Sequence, residues 1–215
     1  LEKAMTERTQ KTVAALCCSI AVLSLGCPAQ PVTVCSYSAT TGNCFDRSFH
    51  FDDARVAAMN PASLPAAPSV CREPVRAQIL RVVDGDTFDV AFPDGTGERI
   101  RLIGANTPET HPTDMGLPHC GGGEAFRFSN SMIGRRAILT FDQDCTDSFG
   151  RTLAYVWFGP QHSDMWQAQL IRRGLARQLT VAPNDNFAPL FLEDENAARA
   201  QTLGIWGECF GDMNP

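Results

Sequence analysis

Two short strings in this chain gather oxygen-bearing side chains at tight turns: Asp84-Gly85-Asp86-Thr87, and Arg101-Leu102-Ile103-Gly104-Ala105-Asn106-Thr107-Pro108-Glu109-Thr110. The second adds an arginine, and a third string, Phe149-Gly150-Arg151, adds another. Carboxylates can hold a hard cation, a carboxylate can take a proton from water, and paired guanidinium groups can grip an anionic ester. These are the parts that phosphodiester hydrolysis requires, because the ester is already charged and more charge builds on its oxygens during attack. Arginine suits the task, since its planar fork donates two parallel hydrogen bonds and stays protonated. Glu109 follows Pro108 and so falls in a loop, where function is commoner than packing.

Three separate turns can meet only on a small, closed framework. From Val75 the pattern supplies one. Val75 to Val83 reads as a strand, turned at Asp84-Gly85 into a second, Thr87 to Phe92. Pro93-Asp94-Gly95 is a strong turn signal before a third strand, Glu98 to Ile103. Gly123 to Ile133 has helical spacing, with Gly134 placed as a stop. Ala137 to Phe141 and Thr152 to Phe158 are strands four and five. Met165 to Arg173 and Pro189 to Thr202 are further helices. The expectation is an α+β fold: a five-stranded barrel of OB type with three helices packed outside it.

The rest of the chain reads differently. Lys3, Arg8 and Lys11 precede an apolar run from Val13 to Leu25, the layout of an export signal over residues 1–27. Leu23-Ser24-Leu25-Gly26-Cys27 is similar to a lipoprotein box, with Cys27 the candidate for lipid attachment to a membrane; cleavage near Ala29 is the alternative. The expected location is therefore periplasmic, cell-envelope bound or secreted. Residues 28–74 form a Cys-containing lead-in, with a short helix within Phe49 to Met59 and a linker at Asn60 to Pro68. The barrel domain is set at 75–207 and a tail at 208–215.

Six cysteines follow the leader, an even number that suggests disulfides in an oxidising compartment. The favoured pairing is Cys35 with Cys44, Cys120 with Cys145, and Cys71 with Cys209. Zinc at His111, His119, Cys120 and Cys145 is disfavoured because the spacing matches no common zinc pattern. The formal net charge is −6, which argues against broad, nonspecific grip on nucleic acid, though a local arginine cluster can still hold a phosphate or two. Trp157, Trp166 and Trp206 read as packing residues, Arg135 and Arg136 as partners of a helix end, and Glu193-Asp194-Glu195 as a solvated helix face. Gly121-Gly122-Gly123 reads as a hinge.

Five strings, in order, resemble the staphylococcal-nuclease-like (thermonuclease) family. They are Val83 to Thr87; Arg101 to Gly104 with Thr107 to Thr110; Phe149 to Arg151 with Leu153-Ala154-Tyr155; Arg173-Gly174-Leu175-Ala176; and Gly204-Ile205-Trp206. The resemblance covers Val75 to Trp206. It implies an OB-fold barrel and calcium-dependent cleavage of DNA and RNA, with hydrolysis at the 5′ oxygen leaving 3′-phosphate ends. It also implies roles. Asp86 matches the calcium carboxylate, Thr107 the residue giving a main-chain carbonyl to the ion, Glu109 the general base, and Arg101 and Arg151 the phosphate-binding arginines. Asn106 stands where the family often has a second calcium aspartate; its amide oxygen still ligates, but without charge. Ser148-Phe149 replaces a lysine and tyrosine, and Arg177 to Ala182 lacks tyrosines that pack on the nucleotide. The rival readings are a noncatalytic nucleic-acid-binding OB module and an envelope scaffold; Asp86, Glu109 and both arginines argue against the first, while the acidic balance and the missing tyrosines favour the second.

Overall fold

In the computed structural model, residues 51–110 and 119–209 are described. Strands β1 (Val75–Asp84), β2 (Thr87–Ala91) and β3 (Gly97–Leu102) form an antiparallel meander. A short strand β4 (Gly104–Asn106) and helix α2 (Gly122–Asn130) follow, and then β5 (Arg136–Thr140) and β6 (Thr152–Trp157). Strand β6 pairs parallel to β3 and antiparallel to β5, and β5 returns antiparallel to β1. The five strands close into a barrel in the order β1-β2-β3-β6-β5, so no long edge is left open. The expected five strands and the helices outside them are all present.

The barrel interior follows from alternation with one interruption. Ala77 and Ile79 point inward from β1, but the next buried residue is Val82 rather than residue 81. The β1–β2 register shifts between Ile79 and Arg81, so a bulge switches the inward phase and bends the strand toward closure. Phe88, Val90, Ile100, Leu102, Ala137, Leu139, Ala154 and Val156 complete the lining.

Helix α3 (Trp166–Arg172) is buried on most of its surface. Trp166 stacks on Phe88 at 4.5 Å between ring centroids. Its one buried amide side chain, Gln167, donates to the Ala154 carbonyl at 3.0 Å and accepts from the Val156 N–H at 3.2 Å. That exchange continues the backbone ladder of β6 and leaves neither group orphaned. Helix α4 (Ala188–Ala200) contributes Phe191, which joins Phe187 and Tyr155 in an aromatic cluster. All three tryptophans are buried, as expected.

The core also extends N-terminal of Val75. Helix α1 (Asp53–Ala58) is capped by Asp52, whose carboxylate accepts from the Ala54 and Arg55 N–H groups at 3.0 Å. It buries Val56, and Leu64 beyond it is buried too. Phe51 meets Phe158 edge-on at 5.0 Å. Arg135 does not serve a helix end as expected: it faces Asp53 at 3.7 Å and lies over the Phe51 ring, while Arg136 opens β5. Both therefore help fasten residues 51–58 to the barrel.

Two further expectations are corrected. The disulfides are Cys71–Cys145 and Cys120–Cys209, not Cys120 with Cys145 and Cys71 with Cys209. Cys71 lies where its N–H donates to the Asp142 carbonyl at 2.8 Å, which brings it to the start of the β5–β6 loop and beside Cys145. Cys35, Cys44, the leader with Cys27, and residues 210–215 fall outside the described residues. The acidic run on α4 is a solvated face only at Glu193. Glu195 is only 6% exposed and accepts from the Gln178 N–H and from Arg199, and Asp194 meets His162 at 2.6 Å. The Gln178 bond fixes α4 to β7 (Arg177–Leu179), which pairs antiparallel with β4, and the His162 contact fixes it to the segment before α3.

Candidate active site

Strand pairing brings the three strings together. Thr87 sits opposite Arg101 across β2 and β3, and Arg101 sits opposite Leu153 across β3 and β6. Arg151 lies two residues before Leu153, at the entry to β6. Its Nη1 reaches Thr87 Oγ1 at 3.5 Å. The site therefore occupies one end of the barrel, where β2 begins, β3 ends and β6 begins.

Asp86 is almost fully buried, at 6% exposure. Its Oδ2 accepts from the Thr107 N–H at 2.9 Å and Thr107 Oγ1 at 3.1 Å, and its Oδ1 accepts from Thr87 Oγ1 at 3.1 Å. This close approach depends on Gly85: a β-carbon there would lie 2.7 Å from Thr107 Oγ1. Ser129, buried on α2, donates to the Gly85 carbonyl and docks that helix on the same turn. At the helix start, a β-carbon on Gly122 would collide with the Glu109 carbonyl oxygen. The glycine is there for contact with the Glu109 loop, rather than as the hinge the triplet suggested.

Arg101 is 9% exposed and heavily used by the protein itself. Nη1 donates to the Leu102 and Ala105 carbonyls at 2.9 and 2.6 Å, and Nη2 donates to Asn106 Oδ1 at 2.8 Å. Asp86 Oδ2 lies 3.3 Å from Nη2. Burial lowers the Arg101 pKa below its usual value, and Asp86, Glu109 and Asp84 work against that fall while Arg151 adds to it. Four charged neighbours thus act on Arg101.

Arg151 is held differently. Its Nε donates to Asp147 Oδ2 at 2.7 Å, and its own N–H donates to Asp147 Oδ1 at 2.9 Å. Asp147 is a positioning residue that the sequence reading missed. The available signal was an acid four residues before Arg151 in a turn ending with glycine. Arg151 lowers the Asp147 pKa by hydrogen bonds and charge, as do the N–H groups of Arg151 and Phe149, outweighing an opposing effect of burial.

Glu109 is an exposed side chain whose pKa is raised from 4.5 to about 7. The first cause is a side-chain hydrogen bond with Asp84, followed by burial and by the charges of Asp84 and Asp86; Arg101 pulls the other way. Asp84 is anchored for this contact, since its Oδ1 accepts from the Gly85 N–H at 2.8 Å and Thr110 Oγ1 at 3.0 Å. The folded-state value lies above the unfolded one. The folded protein therefore holds this proton more tightly between about 4.5 and 7, and this contribution to stability declines as pH rises through that window. Asp84→Asn should bring the Glu109 titration down toward the ordinary glutamate range, read by carboxyl carbon NMR in the metal-free protein. An unmoved titration would mean that Asp84 is not the cause.

Among the described residues, no group of three or more His, Cys, Asp or Glu side chains is placed to hold a metal ion. Cys120 and Cys145 are taken up in disulfides, and His111 lies outside the described residues. The oxygens at hand are of another kind: the Asp86 carboxylate, the Thr107 carbonyl and the Asn106 amide. Such a set, completed by water, fits a hard cation such as calcium. Asp86 Oδ1 accepts a hydrogen bond from Thr87 and keeps a lone pair, and Asn106 Oδ1 keeps one beside its bond from Arg101.

Comparison with known proteins bears on what such a cluster does. The sequence model of the family described as Staphylococcal nuclease homologue matches residues 99–208. A thermonuclease of Staphylococcus intermedius is 36% identical over 128 residues, covering 60% of this chain and 74% of that protein. A thermonuclease of Staphylococcus hyicus is 34% identical over 131 residues, with 60% and 74% covered. The endonuclease YncB of Bacillus subtilis (strain 168) is 31% identical over 136 residues, covering 62% of this chain and 63% of YncB.

Proposed function

Because the chain belongs to the Staphylococcal nuclease homologue family and is a phosphodiester-cleaving enzyme, we propose that it cleaves both DNA and RNA with the help of calcium, leaving 3′-phosphate ends. Glu109 is the general base, Arg101 and Arg151 bind the phosphate, and Asp86, Asn106 and the Thr107 carbonyl hold the ion. The supporting observation is that Arg101 Nη2 lies 3.3 Å from Asp86 Oδ2 while Arg151 Nη1 reaches Thr87 Oγ1, which itself donates to Asp86, so both cations and the buried acid meet at one end of the barrel.

In this reading Glu109 removes a proton from water as the water oxygen bonds to phosphorus. The bond from phosphorus to the 5′ oxygen breaks, and the leaving oxygen takes a proton from solvent. A positioned base of this kind contributes about 10²–10⁴-fold in rate. Bound calcium would supply positive charge next to the phosphate oxygens. Arg151, partly exposed and oriented by Asp147, faces the substrate; Arg101, buried beneath it, fixes the loop of Ala105 and Asn106 and lends its charge.

Purified protein incubated with plasmid DNA and with RNA tests this directly. Cleavage in calcium that stops in EDTA is the expected result, and cleavage unaffected by EDTA would remove the ion from the reading. Binding of either polymer without cleavage would favour the noncatalytic module. Asn106→Asp adds a charge to the ligand set and should lower the calcium concentration for half-maximal activity. An unchanged value would mean that Asn106 is no ligand. Export to an oxidising compartment is part of the proposal, and the Cys71–Cys145 and Cys120–Cys209 pairs support it.

A further inference from the structure

Phe149 is 82% exposed, the most exposed large hydrophobic side chain among the described residues. A single exposed apolar residue is ordinary, but this one is rigidly presented. Its N–H donates to Asp147 Oδ1 at 2.9 Å. The Gly150 N–H donates to the Asp147 carbonyl at 3.1 Å, and the Asp147 N–H to the Arg151 carbonyl at 3.0 Å. The ring is thus held out on a closed turn. The Arg151 guanidinium lies over it, 5.2 Å from the centroid.

The ring borders an open groove of about 550 Å³ on the outer face of β1, β2 and β3, lined also by Leu80, Asp89, Arg99 and Arg151. That volume falls in the range of small-ligand sites. Leu80, itself 53% exposed, offers an apolar surface in the groove. The acids there are matched: Asp89 accepts from both Arg81 and Arg99, and Glu98 accepts from Arg72 at 2.9 and 2.8 Å. Arg81, Arg99 and Asp89 together carry one positive charge, so a polyanion is drawn rather than repelled. Because Arg151 lines both this groove and the candidate active site, a strand whose phosphate sits at Arg151 has its neighbouring nucleotide at the groove mouth.

Resting on the nuclease reading above, we infer that Phe149 is a base-stacking residue: it receives the base of one nucleotide flanking the scissile phosphate, on the β2–β3 side, in single-stranded substrate. The occupant is a nucleobase, since every base has a flat face to offer and stacking is tolerant of sequence.

The test uses the purified protein and short single-stranded DNA carrying an abasic residue either immediately 5′ or immediately 3′ of the cleaved bond. Phe149→Ala should raise KM for base-bearing substrate about 5- to 100-fold, with a smaller effect on kcat, and Phe149→Trp should restore it. Wild-type protein should lose the same factor when the base is missing on one flank, and Phe149→Ala should lose nothing more on that flank. An unchanged KM in Phe149→Ala, or equal abasic penalties in both proteins on both flanks, overturns the inference while leaving the nuclease reading intact. A wild-type protein that cleaves neither these oligonucleotides nor plasmid DNA overturns both.

Discussion

Alanine at Arg101 should destabilise the folded protein by about 3–5 kcal/mol, whereas alanine at Arg151 should leave the unfolding midpoint nearly in place and cut kcat by about 10²–10³-fold. The two arginines look equivalent in sequence, and the family resemblance gives both a phosphate. Their surroundings separate them. Arg101 is 9% exposed and donates to two main-chain carbonyls and one side-chain amide. Removing it strands those acceptors and leaves Asp86 buried without its cation, 3.3 Å away in the intact protein. Breaking a buried pair from one side is costly because the remaining charge has neither water nor partner. Arg151 spends its Nε on Asp147 and is partly open to solvent, with 29% of its side chain exposed. Its loss frees Asp147 to water rather than burying it. Urea unfolding and steady-state cleavage of both variants check this. Equal destabilisation by the two substitutions would mean that Arg101 is not the structural member of the pair. Arg101→Lys should recover little, since one ammonium cannot reach the acceptors that the planar fork spans.

How far the sequence discloses this arrangement depends on the range of the interaction involved. The strands of the barrel are local patterns: Thr87–Ala91 alternates, and Pro93-Asp94-Gly95 closes it, so it is legible to within a residue or two. Strands β4 and β7 are three residues each, too short to show an alternation, and they exist because they pair with each other. The strings at Asp86, Glu109 and Arg151 stand out because turn residues and charges coincide in a few positions. The burial of Arg101 does not, because its acceptors are main-chain carbonyls that carry no sequence signature. Glu195 misleads for the converse reason. It sits in an acidic run on a helix, with Arg199 a local i,i+4 partner, and only the arrival of Gln178 turns an apparent solvated face into a buried junction. Cysteine pairing is the extreme case, since any two of the six can be written together until folding decides which meet.

That decision gives the second large effect. Cys71→Ser with Cys145→Ser should lower stability by about 2–5 kcal/mol and should also reduce kcat. The bond spans 74 residues, and closing so long a loop removes much freedom from the unfolded chain. Its position links stability to activity. Cys145 stands at the head of the turn that carries Asp147, Phe149 and Arg151, and its carbonyl accepts from the Leu153 N–H at 2.8 Å. Cys71 is fastened to the same loop through Asp142, whose carboxylate also accepts from the Tyr155 hydroxyl at 2.8 Å. Releasing the bond loosens the base of the loop that orients Arg151. The second pair, Cys120–Cys209, spans 89 residues and lies beside the start of α2, next to the Glu109 loop through the His119 N–H bond to the Glu109 carbonyl at 3.1 Å. Its removal should cost a similar amount in stability and act on Glu109 instead, so the two double-serine variants should be distinguishable. Loss at Cys71–Cys145 should be partly offset by high substrate concentration, because it loosens a phosphate-binding arginine; loss at Cys120–Cys209 should not, because it displaces the base. Reductant should reproduce both losses together in the unmodified protein. A protein shown by mass to carry free thiols at all four positions, yet unfolding at the same urea concentration and cleaving at the same rate, would break the link between these bonds and the site.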